Sequence, residues 1–498
     1  MGEFLLGGAL PLLLFAVGLL YAVALRGFPL LHPVRTLREL TRCGRSSLRA
    51  LSVALGGTLG VGNIAGVALA LSAGGAGALF WMWVSAALAM FLKYGEIVLA
   101  VLTRKRGSDG TWQGGAMVYL RTRGGALGRV AAALFCLLCV LCALTLGAPV
   151  QSNTAASAAF DTLGVPPVAV GGLLAALTAL AVFGGFGKIA SFCEKLIPLM
   201  SVLYLCLSLW AVVTHIESLP RALSWVVRDA FSFRAGGAGV LGFLSARAVR
   251  YGVTRGLLSH EAGAGTAPLA HVAAENTAAS QGVLGMLEVG IDTFVFCTAT
   301  ALPLLIAYPD GLPALGGMVL VNAAFSLLVG RIAPLLLAVS VLLFAYATVL
   351  AWCHYGKCAV RYLTSSGTAQ TGYLCLYVAL VFFGALWKEG WLWSVTDLAI
   401  SLLTMLHGAC LVPLLPTVVA ASREAGLFGG KRVLFRRRGE RQAVKRRKKV
   451  LGQGGENGKR RSACGVTEGK ARGVEHRARK TLTLSAVKSV AHDGEAHM

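Results

Sequence analysis

Charge is scarce in this chain until about residue 429. Only 14% of its 498 residues are Asp, Glu, Lys or Arg, against roughly a quarter in soluble domains. Residues 4–25 and 50–92 contain no charged side chain, and about 20 apolar residues are enough to cross a bilayer. A soluble globular protein is excluded, and the chain reads as an all-α polytopic membrane protein. Basic residues are also missing ahead of the first apolar run, where only Glu3 stands. Ala22-Val23-Ala24 imitates a cleavage site, but without a basic flank 4–25 reads as a retained helix. The twelve cysteines lack any paired extracellular spacing. Cys136, Cys139 and Cys142 form a CxxCxxC with no fourth cysteine before a proline, which disfavours an iron–sulfur cluster. They suit small packing positions better.

The charge that is present is unevenly placed. The net charge is +24, but residues 431–498 hold 20 of the 46 Lys and Arg and six of the 22 acidic residues. This leaves a net of +10 for the first 430 residues. The tail 429–498 reads as a basic, disordered segment. Its KRRKK at 445–449 is expected to meet anionic lipid; nucleic acid is the rival partner and is not expected in a membrane-anchored chain. The loop 26–49 sets Arg26, Arg35, Arg38, Arg42, Arg45 and Arg49 against Glu39. The positive-inside rule makes it cytoplasmic and puts the N-terminus outside. A second basic loop runs from Arg104 to Arg129, and a short internal loop from Lys188 to Lys195.

Eleven spans follow from these marks. The first is 4–25. Two lie within 50–92, divided at Gly74-Gly75 and closed by Lys93 and Glu96. The rest fall at 130–160, 162–186, 196–214, a broken segment within 235–280, 283–308, 332–356, 369–387 and 393–421. Residues 215–234 are expected as an external loop. An odd count returns the C-terminus to the cytoplasm beside its basic tail, in agreement with the charge rule.

Two segments break the helical pattern. In Gly56–Trp83, Gly60, Gly62 and Gly66 crowd around Asn63. Glycine weakens a helix and admits close approach of backbone. Unwound backbone survives in a membrane only where it is buried in protein or lines a cavity. The segment is therefore either a helix interrupted to hold a polar solute, or a close-packing helix with small-xxx-small spacing. The second break falls at Ser259–Gly265, SHEAGAG. Interrupted segments in matching positions of two halves are the best sequence pointer to a transporter's binding site.

GVGNIAGVALAL followed by GGAGALFWMW resembles the first signature of the alanine or glycine:cation symporter family, the bacterial and archaeal sodium:alanine symporters. VQSNTAAS at 150–157, FGGFGKIASFCEKLIPLMSVLY at 183–204, RGLLSHEAGAGTAPLAHVAAEN at 255–276, QGVLGMLEVGIDTFVFCTATALPLL at 281–305 and FAYATVLAWCHYGKC at 344–358 extend the likeness. The resemblance implies a leucine-transporter-like fold: two inverted five-helix repeats, 49–215 and 236–421, plus the extra N-terminal helix. Domain 1–428 would then be the transporter, in a bacterial or archaeal cytoplasmic membrane, carrying alanine or glycine with sodium and no organic cofactor.

The resemblance also implies roles. Gly62, Asn63 and Gln151 would hold the substrate carboxylate. Leu258 and the carbonyls up to Ala262, with Gly263, would hold the amine, and Trp352 would close an apolar wall. Sodium would lie between carbonyls near Leu59 and Gly62 and the hydroxyl of Thr348. Lys188, Glu194 and Lys195 would be structural or gating charges, and Glu261 an anchor for the broken helix. Asp292, four residues after Glu288, would bond neighbouring helices, with a proton path as the other reading. A helix-to-helix hydrogen bond is the other reading of Gln151.

The chain also departs from the family pattern. His260 stands for an asparagine. Ala264 stands for Leu or Met, which would enlarge the pocket towards glutamine or serine. Ala347 removes one of two hydroxyls from the sodium site, which raises proton coupling as an alternative. Cys353, His354 and Lys357 replace Ser, Tyr and Glu. Ile400 and Leu406-His407 replace Asn and Pro-Asn, and neither is expected to touch the substrate contacts. A channel would need a pore lined by several subunits. An enzyme would need a nucleophile or metal set, and His260-Glu261 lacks a second helix-spaced histidine.

Overall fold

The computed structural model describes residues 8–28, 34, 43–107, 110–123, 125–232, 247–387 and 389–426. The lipid contact expected of 445–449 and the start of the second repeat lie outside them. The described chain is helical apart from a short hairpin, Lys105–Arg106 (β1) with Trp112–Gln113 (β2). Among the described residues seven helices are long and apolar enough to cross a membrane, and eight if the bent pair 45–58 and 61–74 counts as one span. The outward faces carry Leu137, Leu173, Leu180, Val202 and Leu209, as lipid contact requires. The chain is an all-α polytopic membrane protein.

Helix α1 (Leu10–Ala24) precedes the first broken pair, α2 (Arg45–Thr58) and α3 (Ala65–Gly74), joined through a 3-10 turn at Val61–Asn63 and bent by 59°. Gly75, at φ +84, starts the turn into α4 (Ala78–Thr103). Lys93 and Glu96 do not close that helix, as their charge suggested. It runs on for seven residues past Glu96 with both side chains fully buried, because each finds a partner inside the bundle. α5 (Ala116–Arg123) leads to α6 (Gly125–Cys142), a π-helical segment at Ala143–Val150 and α7 (Gln151–Leu163). Cys136, Cys139 and Cys142 line one buried face of α6. α8 (Pro167–Val182) and α9 (Gly185–Val213) follow.

The stretch expected as an external loop holds a helix, α10 (Leu219–Ala230). Its buried Ala222, Val226 and Ala230 recur every four residues, while Arg221 and Arg228 stay exposed, an amphipathic pattern too short to span. It caps α4: Asp229 accepts from Gly77 N–H at 2.7 Å, and Trp81 Nε1 donates to Ala230 O at 3.0 Å. A carboxylate is favoured at a helix N-terminus.

The second break separates α11 (Arg247–His260) from α12 (Ala267–His271). α13 (Ala278–Val289) runs through a π-helical segment, Gly290–Cys297, into α14 (Thr298–Ala307). α15 (Gly317–Val329) is a 13-residue apolar helix that the span count omitted; its length is below that of a spanning helix. α16 (Ala333–Leu363), α17 (Gly367–Gly384), α18 (Glu389–Leu411) and α19 (Leu415–Glu424) complete the bundle.

Buried ion pairs tie the bundle together. Lys93 on α4 meets Glu288 on α13 at 3.3 Å, and His271 meets the other Glu288 oxygen at 3.2 Å, all three fully buried. At the surface, Glu194 on α9 receives Arg45 and Arg49 of α2 at 3.2 and 3.0 Å. Removing one partner of a buried pair leaves an uncompensated charge and costs about 3–5 kcal/mol. Glu288→Leu is therefore expected to lower the thermal unfolding temperature of the detergent-solubilised protein sharply. Combining it with Lys93→Met should recover much of the loss; a double variant as unstable as the single one would contradict the pairing.

Candidate functional site

Two broken helices and three continuous ones surround a cavity of about 50 Å³. One water needs about 10–15 Å³ on this measure, so the space holds several waters or one small solute. Its walls are Gly57, Thr58, Gly60, Val61, Gly62 and Gly66 from the first break, Arg255 and Leu258 from α11, and Glu261 from the second break. Leu146 and Gln151 come from the π-to-α7 junction, and Thr348 and Trp352 from α16. Trp393, Thr396, Asp397 and Ile400 come from α18.

The glycines of the first break divide into two sets. A Cβ on Gly56 would stand 3.3 Å from Ala347 O, one on Gly57 2.7 Å from the Tyr355 hydroxyl, and one on Gly60 2.7 Å from Thr348 Oγ1. These three permit close packing on α16. A Cβ on Gly62 or Gly66 meets nothing within 4 Å, and both glycines line the cavity. Close packing and an open polar space are both realised, at different glycines of one segment.

Unwinding frees backbone groups, and side chains take them up. Asn63 Oδ1 accepts from Gly60 N–H at 3.1 Å. Its Nδ2 donates to Asp292 Oδ1 at 2.7 Å and to Ser259 Oγ at 2.9 Å. Ser259 and Thr293 donate to Asp292 Oδ2 at 2.8 and 3.0 Å. Asp292 thus joins the first break to the second through the π-helical turn that carries it. Thr300 Oγ1 donates to Asn63 O at 2.7 Å.

At the second break Glu261 adopts φ +51, a conformation rare outside glycine. Its carboxylate accepts from Thr266 Oγ1 at 2.8 Å and from Trp352 Nε1 at 3.1 Å. The N–H of Gly263 goes to Glu96 at 2.6 Å, and its carbonyl accepts from His407 Nδ1 at 2.7 Å. His407 Nε2 in turn accepts from Tyr119 at 2.6 Å. His260 Nδ1 accepts from Ala262 N–H at 3.1 Å.

Two further polar groups face the cavity from the α7 and α16 sides. The Thr348 hydroxyl has the carbonyls of Gly56, Phe344 and Leu59 at 3.0, 3.2 and 3.4 Å. One proton cannot serve three acceptors, so oxygen lone pairs are left over. Gln151 Nε2 donates to Leu146 O at 3.2 Å, while its Oε1 is buried without a partner. That Oε1 and Thr348 Oγ1 converge on Gly60, at 3.4 and 2.7 Å from an ideal Cβ there.

Of the residues singled out from the sequence, Gly62, Gln151, Leu258, Thr348 and Trp352 line this cavity. The Leu59 carbonyl faces Thr348. Asn63, Gly263 and Ala264 lie behind the wall: Asn63 is held in the Asp292 network, Gly263 between Glu96 and His407, and Ala264 is fully buried. Of the patch 150–157 only Gln151 reaches the cavity, since Asn153 donates to the Gly384 and Trp387 carbonyls at the end of α17. The sequence reading placed a span at 393–421 but gave α18 no part in the site. Ile400 lines the cavity and His407 holds the Gly263 carbonyl, so both substitutions touch the proposed contacts after all. The repeat Trp393, Thr396, Asp397, Ile400 at i, i+3, i+4 and i+7 was the available signal.

Two broken helices flanking a small cavity inside a bundle are the arrangement that points to the binding site of a secondary transporter. Comparison with known sequences agrees. The profile of the sodium:alanine symporter family matches residues 1–425. The chain is 35% identical over 375 residues to the sodium/alanine symporter AgcS of Methanococcus maripaludis, covering 74% of this chain and 80% of that one. It is 32% identical over 367 residues to the amino-acid carrier protein AlsT of Bacillus subtilis, covering 73% and 77%. It is 31% identical over 386 residues to a second Bacillus subtilis protein named "Probable sodium/glutamine symporter GlnT", covering 75% and 79%. The chain belongs to the sodium:alanine symporter family.

Gly60 tests the geometry directly. Gly60→Ala drives a methyl group into Thr348 Oγ1 and is expected to abolish solute uptake. Gly62→Ala has room for its methyl but narrows the cavity, and should raise KM more than it lowers membrane abundance. Uptake normalised to protein in the membrane separates the two; equal, mild effects would contradict the division of the glycines.

Proposed function

We propose that this chain imports a small neutral amino acid, alanine or glycine, together with sodium by alternating access. The observation that carries this reading is the gathering of oxygens at the first break: Gln151 Oε1, which has no partner, and Thr348 Oγ1 beside the Gly56 and Leu59 carbonyls. A zwitterion loses water at both ends when it enters a membrane and needs donors for one and acceptors for the other. Half-helix N-termini suit a carboxylate, and free carbonyls suit an ammonium or sodium. In this scheme Gly62 and Gln151 serve the carboxylate end, and Asn63 acts from behind by holding the break open. Leu258 faces the amine, with Gly263 and Ala264 shaping the break behind it, and Trp352 closes a wall. Sodium lies between Leu59, Gly62 and Thr348, and Gln151 Oε1 is placed to supply the oxygen that Ala347 does not.

The proposed topology is two inverted five-helix repeats, 49–215 and 236–421, preceded by one extra helix. The N-terminus lies outside and the C-terminus in the cytoplasm, where the basic tail meets anionic lipid. Family membership and the names of AgcS and AlsT support sodium-coupled amino-acid transport. A second reading is proton coupling with a broader neutral substrate range. The missing hydroxyl at Ala347, the buried Asp292 and Glu261, and the glutamine in the name of GlnT favour it.

Proteoliposomes loaded with neither gradient, an inward sodium gradient or an inward proton gradient separate the two. Saturable accumulation of labelled alanine driven by sodium is expected; accumulation driven by protons alone would select the second reading. Thr348→Val should raise the sodium concentration for half-maximal uptake by about tenfold or more, the scale of losing one contact to a charged group.

A further inference from the structure

Within α18 the hydroxyl side chain that lines the cavity is bonded differently from its neighbours. Ser401 donates to Asp397 O at 2.6 Å and Thr404 to Ile400 O at 2.7 Å. Both use the preceding-turn carbonyl, the usual resort of a hydroxyl inside a helix. Thr396 does not. Its side chain is 1% exposed and its Oγ1 has no hydrogen-bond partner. It lies on the helical face formed by Trp393, Thr396, Asp397 and Ile400 that walls the cavity. A buried hydroxyl left unbonded is costly, and this one belongs to a residue of the cavity wall.

We infer that Thr396 reads the substrate's side chain, favouring uncharged amino acids whose side chain carries a hydroxyl or carboxamide group. This rests on the amino-acid transport proposed above. In that reading the carboxylate and amine are held at the two helix breaks, so the side chain is left to the wall that α18 supplies. A hydroxyl donates and accepts, and so serves an alcohol or an amide alike. The charged residues on the same rim, Arg255 and Asp397, stand 3.5 Å apart and offset each other, so the wall presents no net charge to attract an ionised side chain. Ile400 and Trp393 supply apolar contact around the single polar point.

Serine and 2-aminobutyrate test this, because they differ by a hydroxyl in place of a methyl. Their inhibition constants against labelled alanine uptake are measured in proteoliposomes. The unmodified protein is expected to prefer serine. A preference for 2-aminobutyrate overturns the assignment without any variant. Thr396→Val should lower the serine to 2-aminobutyrate preference by about 3- to 10-fold, and Thr396→Ser should retain it. A ratio unmoved by Thr396→Val, or lowered equally by Thr396→Ser, assigns the residue to packing and sinks the inference. An unmodified protein that takes up no amino acid would remove the transport reading and this one together. Intact alanine uptake with an unmoved ratio removes only the role of Thr396.

Discussion

A peptide group without a hydrogen-bond partner in hydrocarbon costs several kcal/mol, and the centre of this bundle is arranged around meeting that cost. Two helices are interrupted, and each interruption frees backbone N–H and carbonyl groups far from water. Side chains of the breaks themselves and of other helices take them up. Asn63 bonds the Gly60 N–H, while Glu96 and His407 take the two ends of Gly263. Asp292 then links Asn63 to Ser259, so neither break can move without the other feeling it. The polar residues in this membrane protein are concentrated where the backbone is broken because that is where they are needed.

That economy explains why the cavity is polar only in places. Most freed groups are satisfied by the protein itself and are out of reach of a solute. What remains is a short set of oxygens around Gly60 and one hydroxyl on α18. A site in which few polar atoms stand unsatisfied binds weakly but selectively, since each unmet atom asks for one particular partner. Such a site also releases its solute readily, which a carrier requires.

The long apolar runs, the basic loops and the two glycine-broken segments were legible from composition and spacing, and five of the residues read from family resemblance line the cavity. Lys93 and Glu96 were misread as a helix end because charge normally marks an interface with water; here Glu288 and Gly263 stand in for water. α10 was invisible as a helix because its apolar stripe is made of alanine and valine at intervals of four, which hydropathy alone does not separate from a loop. Gln151 could be picked out, but not the fact that its amide is half satisfied. That depends on the Leu146 carbonyl five residues earlier, brought into reach where the π-helical segment meets α7.

The π-helical turns extend the same logic. Both lie between two straight helical stretches, Ala143–Val150 before Gln151 and Gly290–Cys297 around Asp292. A π turn adds a residue to the helix without ending it, and such bulges recur at functional sites. Here each one sets the direction of a side chain that a regular helix would aim elsewhere: Gln151 towards the cavity, Asp292 between the two breaks. Unwinding exposes backbone, whereas widening re-aims side chains while keeping backbone bonded. The bundle uses the first where a solute needs backbone contact and the second where one polar side chain must be pointed, and this division keeps the number of unsatisfied groups small.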